Sequence, residues 1–166
     1  MLIILPPFPI PEDKVLRGRP DISQLFHLVE KERILGIMLI NWGSYAAGVF
    51  KGEKLVESKT GTGYIHKRIK KGGSSSKRFA RRTEEQKKHF LRKVANHFEE
   101  VLKGHAPEQI FFGGNRLILK PILQENPYLE SQVHKISRRL LSLRYADKEA
   151  LLKSLQDINE SLVFSF

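Results

Sequence analysis

Lys67-Arg68-Ile69-Lys70-Lys71-Gly72-Gly73-Ser74-Ser75-Ser76-Lys77-Arg78-Phe79-Ala80-Arg81-Arg82 opens a stretch that continues to Lys93, and the rest of the chain is read outward from it. Residues 67–93 hold twelve of the 29 Lys/Arg and two of the 18 Asp/Glu, a net of +10 against +11 for the whole chain of 166 residues. The positive charge is therefore concentrated in one place on a nearly neutral body. A field of that kind attracts polyanions, nucleic-acid backbone above all. Gly72 to Ser76 reads as a loop of small residues with free backbone N–H groups. A helix is expected from about Ser76, with Ser75 or Ser76 as its N-cap. Apolar residues follow at Phe79, Phe90, Leu91, Val94, Ala95, Phe98, Val101 and Leu102. From Phe90 onward the spacing is helical, so that half packs on a core. The first turns are basic and cannot be core. Gly104 is expected to end the helix. A solvated helix face beside a Gly/Ser linker is the plain reading of the same residues.

Length predicts one domain, with enough apolar content for a substantial core. The chain has no cysteine. That excludes a disulfide framework and thiolate zinc sites, and it fits a reducing compartment. The apolar start, Met1 to Leu5, meets Pro6, Pro7, Pro9 and Pro11 too soon for a signal peptide or a membrane span. The expectation is a soluble, cytoplasmic protein without membrane association.

Residues 1–20 read as a Pro-rich arm with one short strand, and 21–166 as a single domain. Asp21 is placed to cap a short helix from Ile22 to Lys31, with Leu25, Phe26, Leu28 and Val29 inward. Ile34 to Ile40 is a nearly continuous apolar run, the pattern of a strand buried on both faces. Gly43-Ser44 and Lys51-Gly52-Glu53 turn the chain into two further strands, an antiparallel meander. Gln109 to Phe112 reads as another buried strand, ending at Gly113-Gly114. Asn115 can cap a short helix toward Leu123, and Val133 to Leu143 holds a strand or an irregular segment. Asp147 caps a last helix with Leu151, Leu152, Leu155, Ile158 and Leu162 apolar. The order of elements gives an α/β fold, a mixed β-sheet with helices on its faces.

Lys71 to Arg82, followed by Glu85, Gln86 and Arg92-Lys93-Val94-Ala95, resembles the central domain of eukaryotic and archaeal class-one peptide release factors. That domain carries Gly-Gly-Gln at a loop tip and then a basic Arg-Phe-Ala-Arg helix. The resemblance is closer to the bacterial relatives of the ankyrin-repeat zinc-finger peptidyl-tRNA hydrolases of ribosome quality control, the Vms-like release factor domain. The hairpin Gly48-Val49-Phe50-Lys51-Gly52 and the later Phe111-Phe112-Gly113-Gly114-Asn115-Arg116 belong to the same likeness, which covers about Ile34 to Leu162. It implies a sheet of the ribonuclease H-like, release-factor central-domain type. It also implies a loop, here Gly72, Gly73, Ser74, Ser75 and Ser76, that reaches the ester joining peptide to tRNA. The family's glutamine is missing: Ser74 stands at the release-factor position, and Ser75 or Ser76 at that of the closer relatives. A loop N–H can still stabilise negative charge on the ester oxygen, and a seryl hydroxyl can orient a water over a shorter reach.

The expected function is that of a ribosome-associated peptidyl-tRNA hydrolase or rescue factor. The expected partners are the large ribosomal subunit, rRNA and peptidyl-tRNA. Lys67, Arg68, Lys70, Lys71, Lys77, Arg78, Arg81 and Arg82 are the expected RNA-binding residues. The alternative is a ribosome- or tRNA-binding module that has lost hydrolysis with the glutamine. The chain has no room for the codon-reading domain of a full release factor, so codon-specific termination is not expected. No cofactor or metal is expected. Ile34–Ile40 carries no acid to hold the Mg²⁺ of a ribonuclease H-like nuclease, the six histidines show no ligand spacing, and the loop lacks the Gly-Lys-Ser of a P-loop. Trp42 and Tyr45 could stack on a base, but rim or core packing is the simpler reading. The sequence leaves the oligomeric state open.

Overall fold

The computed structural model describes residues 2–8, 23–65 and 74–166. In chain order the elements are β1 (Leu2–Leu5), α1 (Ser23–Glu30), β2 (Ile34–Asn41), β3 (Ser44–Lys51), β4 (Lys54–Thr62), α2 (Ser74–Lys103), β5 (Gln109–Gly114), α3 (Leu119–Gln124), α4 (Pro127–Ser131), β6 (Ile136–Leu141), α5 (Lys148–Asn159) and β7 (Leu162–Ser165). Five strands form a mixed sheet in the order β4-β3-β2-β5-β6. β2, β3 and β4 are an antiparallel meander; β5 pairs parallel with β2, and β6 parallel with β5.

β2 is the middle strand, as its apolar run predicts. Met38 and Ile40 point to one face, and Leu35, Ile37 and Leu39 to the other, all of them buried. The first face is covered by α2, α3 and α4. There Phe90, Leu91, Val94, Ala95, Phe98, Val101 and Leu102 of α2 meet Ile118, Ile122, Leu129 and the strands. Burying the six larger of those α2 side chains contributes roughly 9–18 kcal/mol of gross transfer free energy, before the entropy of ordering is subtracted. The second face is covered by α5 through Leu151, Leu155 and Ile158, together with Leu28 and Phe8. The result is three layers with helices on both faces. β4, at the sheet edge, alternates half-buried and exposed residues. β1 pairs antiparallel with β7 in a separate two-stranded ribbon, and Phe8 lies edge-on to Phe111.

Several local expectations are corrected. α2 runs unbroken to Lys103, but it starts at Ser74. Ser75 and Ser76 therefore sit in its first turn instead of capping it. Gly104 follows the helix, but the left-handed residue there is Ala106, at φ 45°. Its N–H, like that of His105, returns to the Leu102 carbonyl. Phe26 is exposed, and Leu28 is the buried residue among the described side chains of α1. Asp147 does cap α5, accepting from the Ala150 N–H at 2.8 Å. Leu152 faces solvent, however, and the helix stops at Asn159, so Leu162 belongs to β7. Asp21, Ile22 and residues 66–73 lie outside the described residues.

Candidate nucleic-acid interface

The position of α2 across the sheet decides what its charges can meet. Its C-terminal end packs where the parallel strands begin. Phe90 packs where β2 ends: it lies 6.4 Å from Trp42 and 6.3 Å from Tyr45, ring centre to ring centre. Gly63 sits directly on it, since a Cβ there would lie 2.5 Å from the Phe90 ring. Residues 74–89, roughly 24 Å of helix at 1.5 Å per residue, precede this anchor and run toward the carboxyl edge of the parallel strands. The helix is anchored from Phe90 onward, and its basic half projects. Open α/β sheets tend to present their ligand sites at this carboxyl edge.

Among the expected RNA-binding residues, Arg78, Arg81 and Arg82 are exposed on the projecting half. Lys77 falls in the first turn of α2 with Ser74, Ser75 and Ser76. Lys67, Arg68, Lys70, Lys71, Gly72 and Gly73 lie outside the described residues. Phe79 is 46% exposed. Among the described side chains of this half Thr83 is the buried one, and its hydroxyl donates to the Phe79 carbonyl at 3.0 Å.

Acids neutralise only part of the charge. Arg81 pairs with Glu85 at 3.0 Å, Lys87 with Glu84 at 2.8 Å and Arg92 with Glu125 at 3.4 Å. Among the described residues, Arg78, Arg82, Lys88 and Lys93 have no carboxylate partner. The first turn of α2 contains no acid. Lys77 and Arg78 thus lie near the positive end of the helix dipole, an arrangement that costs about 0.3–1 kcal/mol for each charge. An incoming polyanion relieves both the mutual repulsion and the opposition to the dipole.

Two features escape a reading of the basic run alone. Arg82, Gln86, His89 and Lys93 fall at spacings of four, three and four, on one flank of α2. With Tyr64 across from them and Phe90 beneath, they line a groove of about 500 Å³. The helical spacing was legible; the approach of Tyr64 was not. The second feature ties α2 to β3. The hydroxyl of Tyr45 and Nδ1 of His97 share a hydrogen bond, and Lys59 of β4 pairs with Glu100 one turn further along. Burial pushes the Tyr45 phenol up and the His97 imidazole down, with the Lys59 charge adding to the second effect. Tyr45 is thus a core residue. Trp42 is a rim residue, with the Lys87 ammonium 5.2 Å from its ring centre.

No group of three His, Cys, Asp or Glu among the described residues is placed to hold a metal ion. No described helix is long and apolar enough to cross a membrane.

The model of the Actinobacteria/chloroflexi VLRF1 release factor family matches residues 33–163. The chain belongs to this family. Among solved structures, the crystal structure of the archaeal translation termination factor aRF1 superposes with a TM-score of 0.59 at 18% identity, over 84% of this chain and 38% of that one. A Vms1 mitochondrial localization core superposes with a TM-score of 0.51 at 15% identity, over 81% of this chain and 58% of that one. The chain spans less than two thirds of the length of either structure. The VLRF1 sheet and its crossover helix therefore have the fold of a release-factor central domain.

Proposed function

We propose that this VLRF1 protein acts on the ribosome as a release-factor-like rescue protein of the cytoplasm. In this reading, phosphate contacts from the projecting half of α2 bring Gly72–Ser76 to the acceptor end of peptidyl-tRNA on the large subunit. The observation that carries the reading is the division of α2 into a core-anchored half and a projecting cationic half. The stretch of helix before Phe90, roughly 24 Å long, separates its N-terminal end from that anchor. Lys67, Arg68, Lys70 and Lys71 precede the loop in the sequence and add to the charge of the same stretch.

The reaction is hydrolysis of the ester. A water oxygen attacks the carbonyl carbon, and the tetrahedral oxyanion is met by loop N–H donors. The bond to the ribose oxygen then breaks, and that oxygen takes a proton. A preorganised N–H donor is worth about 2.7–4 kcal/mol of barrier in such chemistry. The serines can orient the water only at short reach. A second reading has a specific observation in its favour: Ser74, Ser75 and Ser76 sit inside the first turn of α2, and residues 72–76 contain no glutamine. In that reading the protein occupies the same ribosomal site without cleaving.

A single-turnover assay on stalled ribosome complexes carrying labelled peptidyl-tRNA separates the two. Peptide release faster than the protein-free control, and lost on Gly73→Val, supports hydrolysis. Stoichiometric binding without release supports the second reading. Absence of ribosome binding refutes both.

A further inference from the structure

We propose that the groove between α2 and the exit of β4 is a clamp for one unpaired ribonucleotide. Arg82 and Lys93 hold its phosphate, and the ring of Tyr64 stacks on its base. This inference rests on the RNA-facing reading above and adds a site to it. The groove has the volume of a single small ligand, about 500 Å³, within the roughly 300–1,000 Å³ range of such sites. It is too small for a helix of any kind.

Its wall on α2 carries two cations without carboxylate partners among the described residues, Arg82 and Lys93, with His89 and Gln86 between them as further hydrogen-bonding groups. Glu85 also reaches the groove, but it is paired with Arg81 on the outer side. The net field inside the groove is therefore positive. Across from that wall Tyr64 is 77% exposed. A π face beside a phosphate site is the arrangement that selects a splayed base over a paired one, because only an unpaired base can leave its neighbours to stack on a side chain. Phe90 forms an apolar floor fixed by the core. Arg82 and Lys93 stand on the same helix as the exposed Arg78, Arg81 and Lys88.

The test uses the full chain and fluorescence anisotropy with two labelled probes: a single-stranded oligouridylate, and a blunt RNA duplex of the same strand length. Tyr64→Ala is expected to weaken binding of the single strand by about 5- to 150-fold, the range for loss of one base–aromatic stack, and binding of the duplex less than twofold. Tyr64→Phe should bind as the parent does. Arg82→Gln with Lys93→Gln should weaken both probes. Equal effects of Tyr64→Ala on the two probes, or no effect on either, overturn the clamp. Reversal of Arg78, Arg81 and Lys88, which lie off the groove, separates the failures. If that reversal strips binding while Tyr64→Ala does nothing, the RNA-facing helix stands and the clamp falls. If neither set changes binding, both readings fall. Competition by tRNA, and by tRNA trimmed of its unpaired 3′ nucleotides, then assigns the source. Competition lost on trimming assigns the nucleotide to the tRNA tail; competition retained assigns it to another unpaired RNA segment. Both results uphold the clamp.

Discussion

Changing Arg78, Arg81 and Arg82 together is the sharpest perturbation of the projecting half of α2. Each phosphate contact releases counterions, so each contributes about 0.7 to the salt slope on a single strand and about 0.9 on a duplex. At 0.1 M salt that is about 5- to 8-fold in affinity per contact, so loss of three contacts amounts to about 125- to 500-fold, roughly 3–4 kcal/mol. The triple Gln variant should bind ribosomes or tRNA weaker by that factor and show a salt slope shallower by about 2–3. The triple Glu variant adds repulsion and should lose more.

The fold should survive. All three side chains are exposed, and the one ion pair removed, Arg81 with Glu85, is an exposed i,i+4 pair. Such a pair is worth at most about 1 kcal/mol, or a shift in Tm of about 2–4 °C in a domain of this size. Reversal of Lys148 and Lys153, exposed on α5 against the other face of the sheet, serves as the charge control. Filter binding or ribosome sedimentation across a salt series reads the result. If the triple variant binds as tightly as the parent, the RNA-facing reading is refuted. The same follows if the α5 control weakens binding equally, because net charge would then be the cause instead of position.

Two further predictions concern the frame that holds the site. Gly114→Ala should destabilise the protein by about 3 kcal/mol or more in chemical denaturation, because Gly114 has φ +103° and its new Cβ would stand 2.1 Å from the Ile40 carbonyl oxygen; a loss under 1 kcal/mol would contradict that geometry. Stability should also fall as pH drops through 6.5, the ordinary histidine value. The folded-state pKa of His97 lies below its ordinary 6.5, so the neutral ring's contribution is complete above the unfolded pKa and is lost as pH falls toward the folded value. His97→Gln should flatten that part of the Tm–pH curve, whereas Glu99, Glu100 and Glu108, whose pKa values are also lowered, act only below the ordinary carboxylate value of 4.5.

The parts of this architecture that declare themselves in sequence are those whose causes are local. Ile34–Ile40 reads as the middle strand because a strand covered on both faces has no polar side to show. The meander reads from Gly43 and Gly52, which do take positive φ, 96° and 56°. The core half of α2 reads from its period. What stays hidden is non-local. β1 and β7 are four-residue apolar segments at opposite ends of the chain, and only their pairing makes them strands. Tyr45 and His97 are 52 residues apart. Phe26 and Leu152 carry the right residue type for a core, but they lie on the wrong side of helices whose rotation is set by the sheet beneath them. At the site, the cationic flank of α2 was legible as a spacing. The groove was not, because Tyr64 reaches it only through the close approach of Gly63 to Phe90.

The two halves of α2 answer to different demands. From Phe90 onward every buried position stabilises the domain. Before it, the charges work against the helix: Lys77 and Arg78 oppose the dipole, and Arg78 and Arg82 lack acidic partners among the described residues. A helix tuned only for stability would place acids in its first turn. The cost is carried by the anchored half, which holds the backbone in register whether or not the projecting half is content. Binding and helix order are therefore linked. A polyanion that neutralises Lys77 and Arg78 removes about 0.3–1 kcal/mol of opposition at each, so amide exchange over the first turns of α2 should slow by about 3- to 30-fold on saturation with RNA. Exchange from Val94 to Leu102 should not change, because those amides already open only with the core. Equal slowing along the whole helix would mean that RNA stabilises the domain globally, and a projecting half with its own local equilibrium would be refuted.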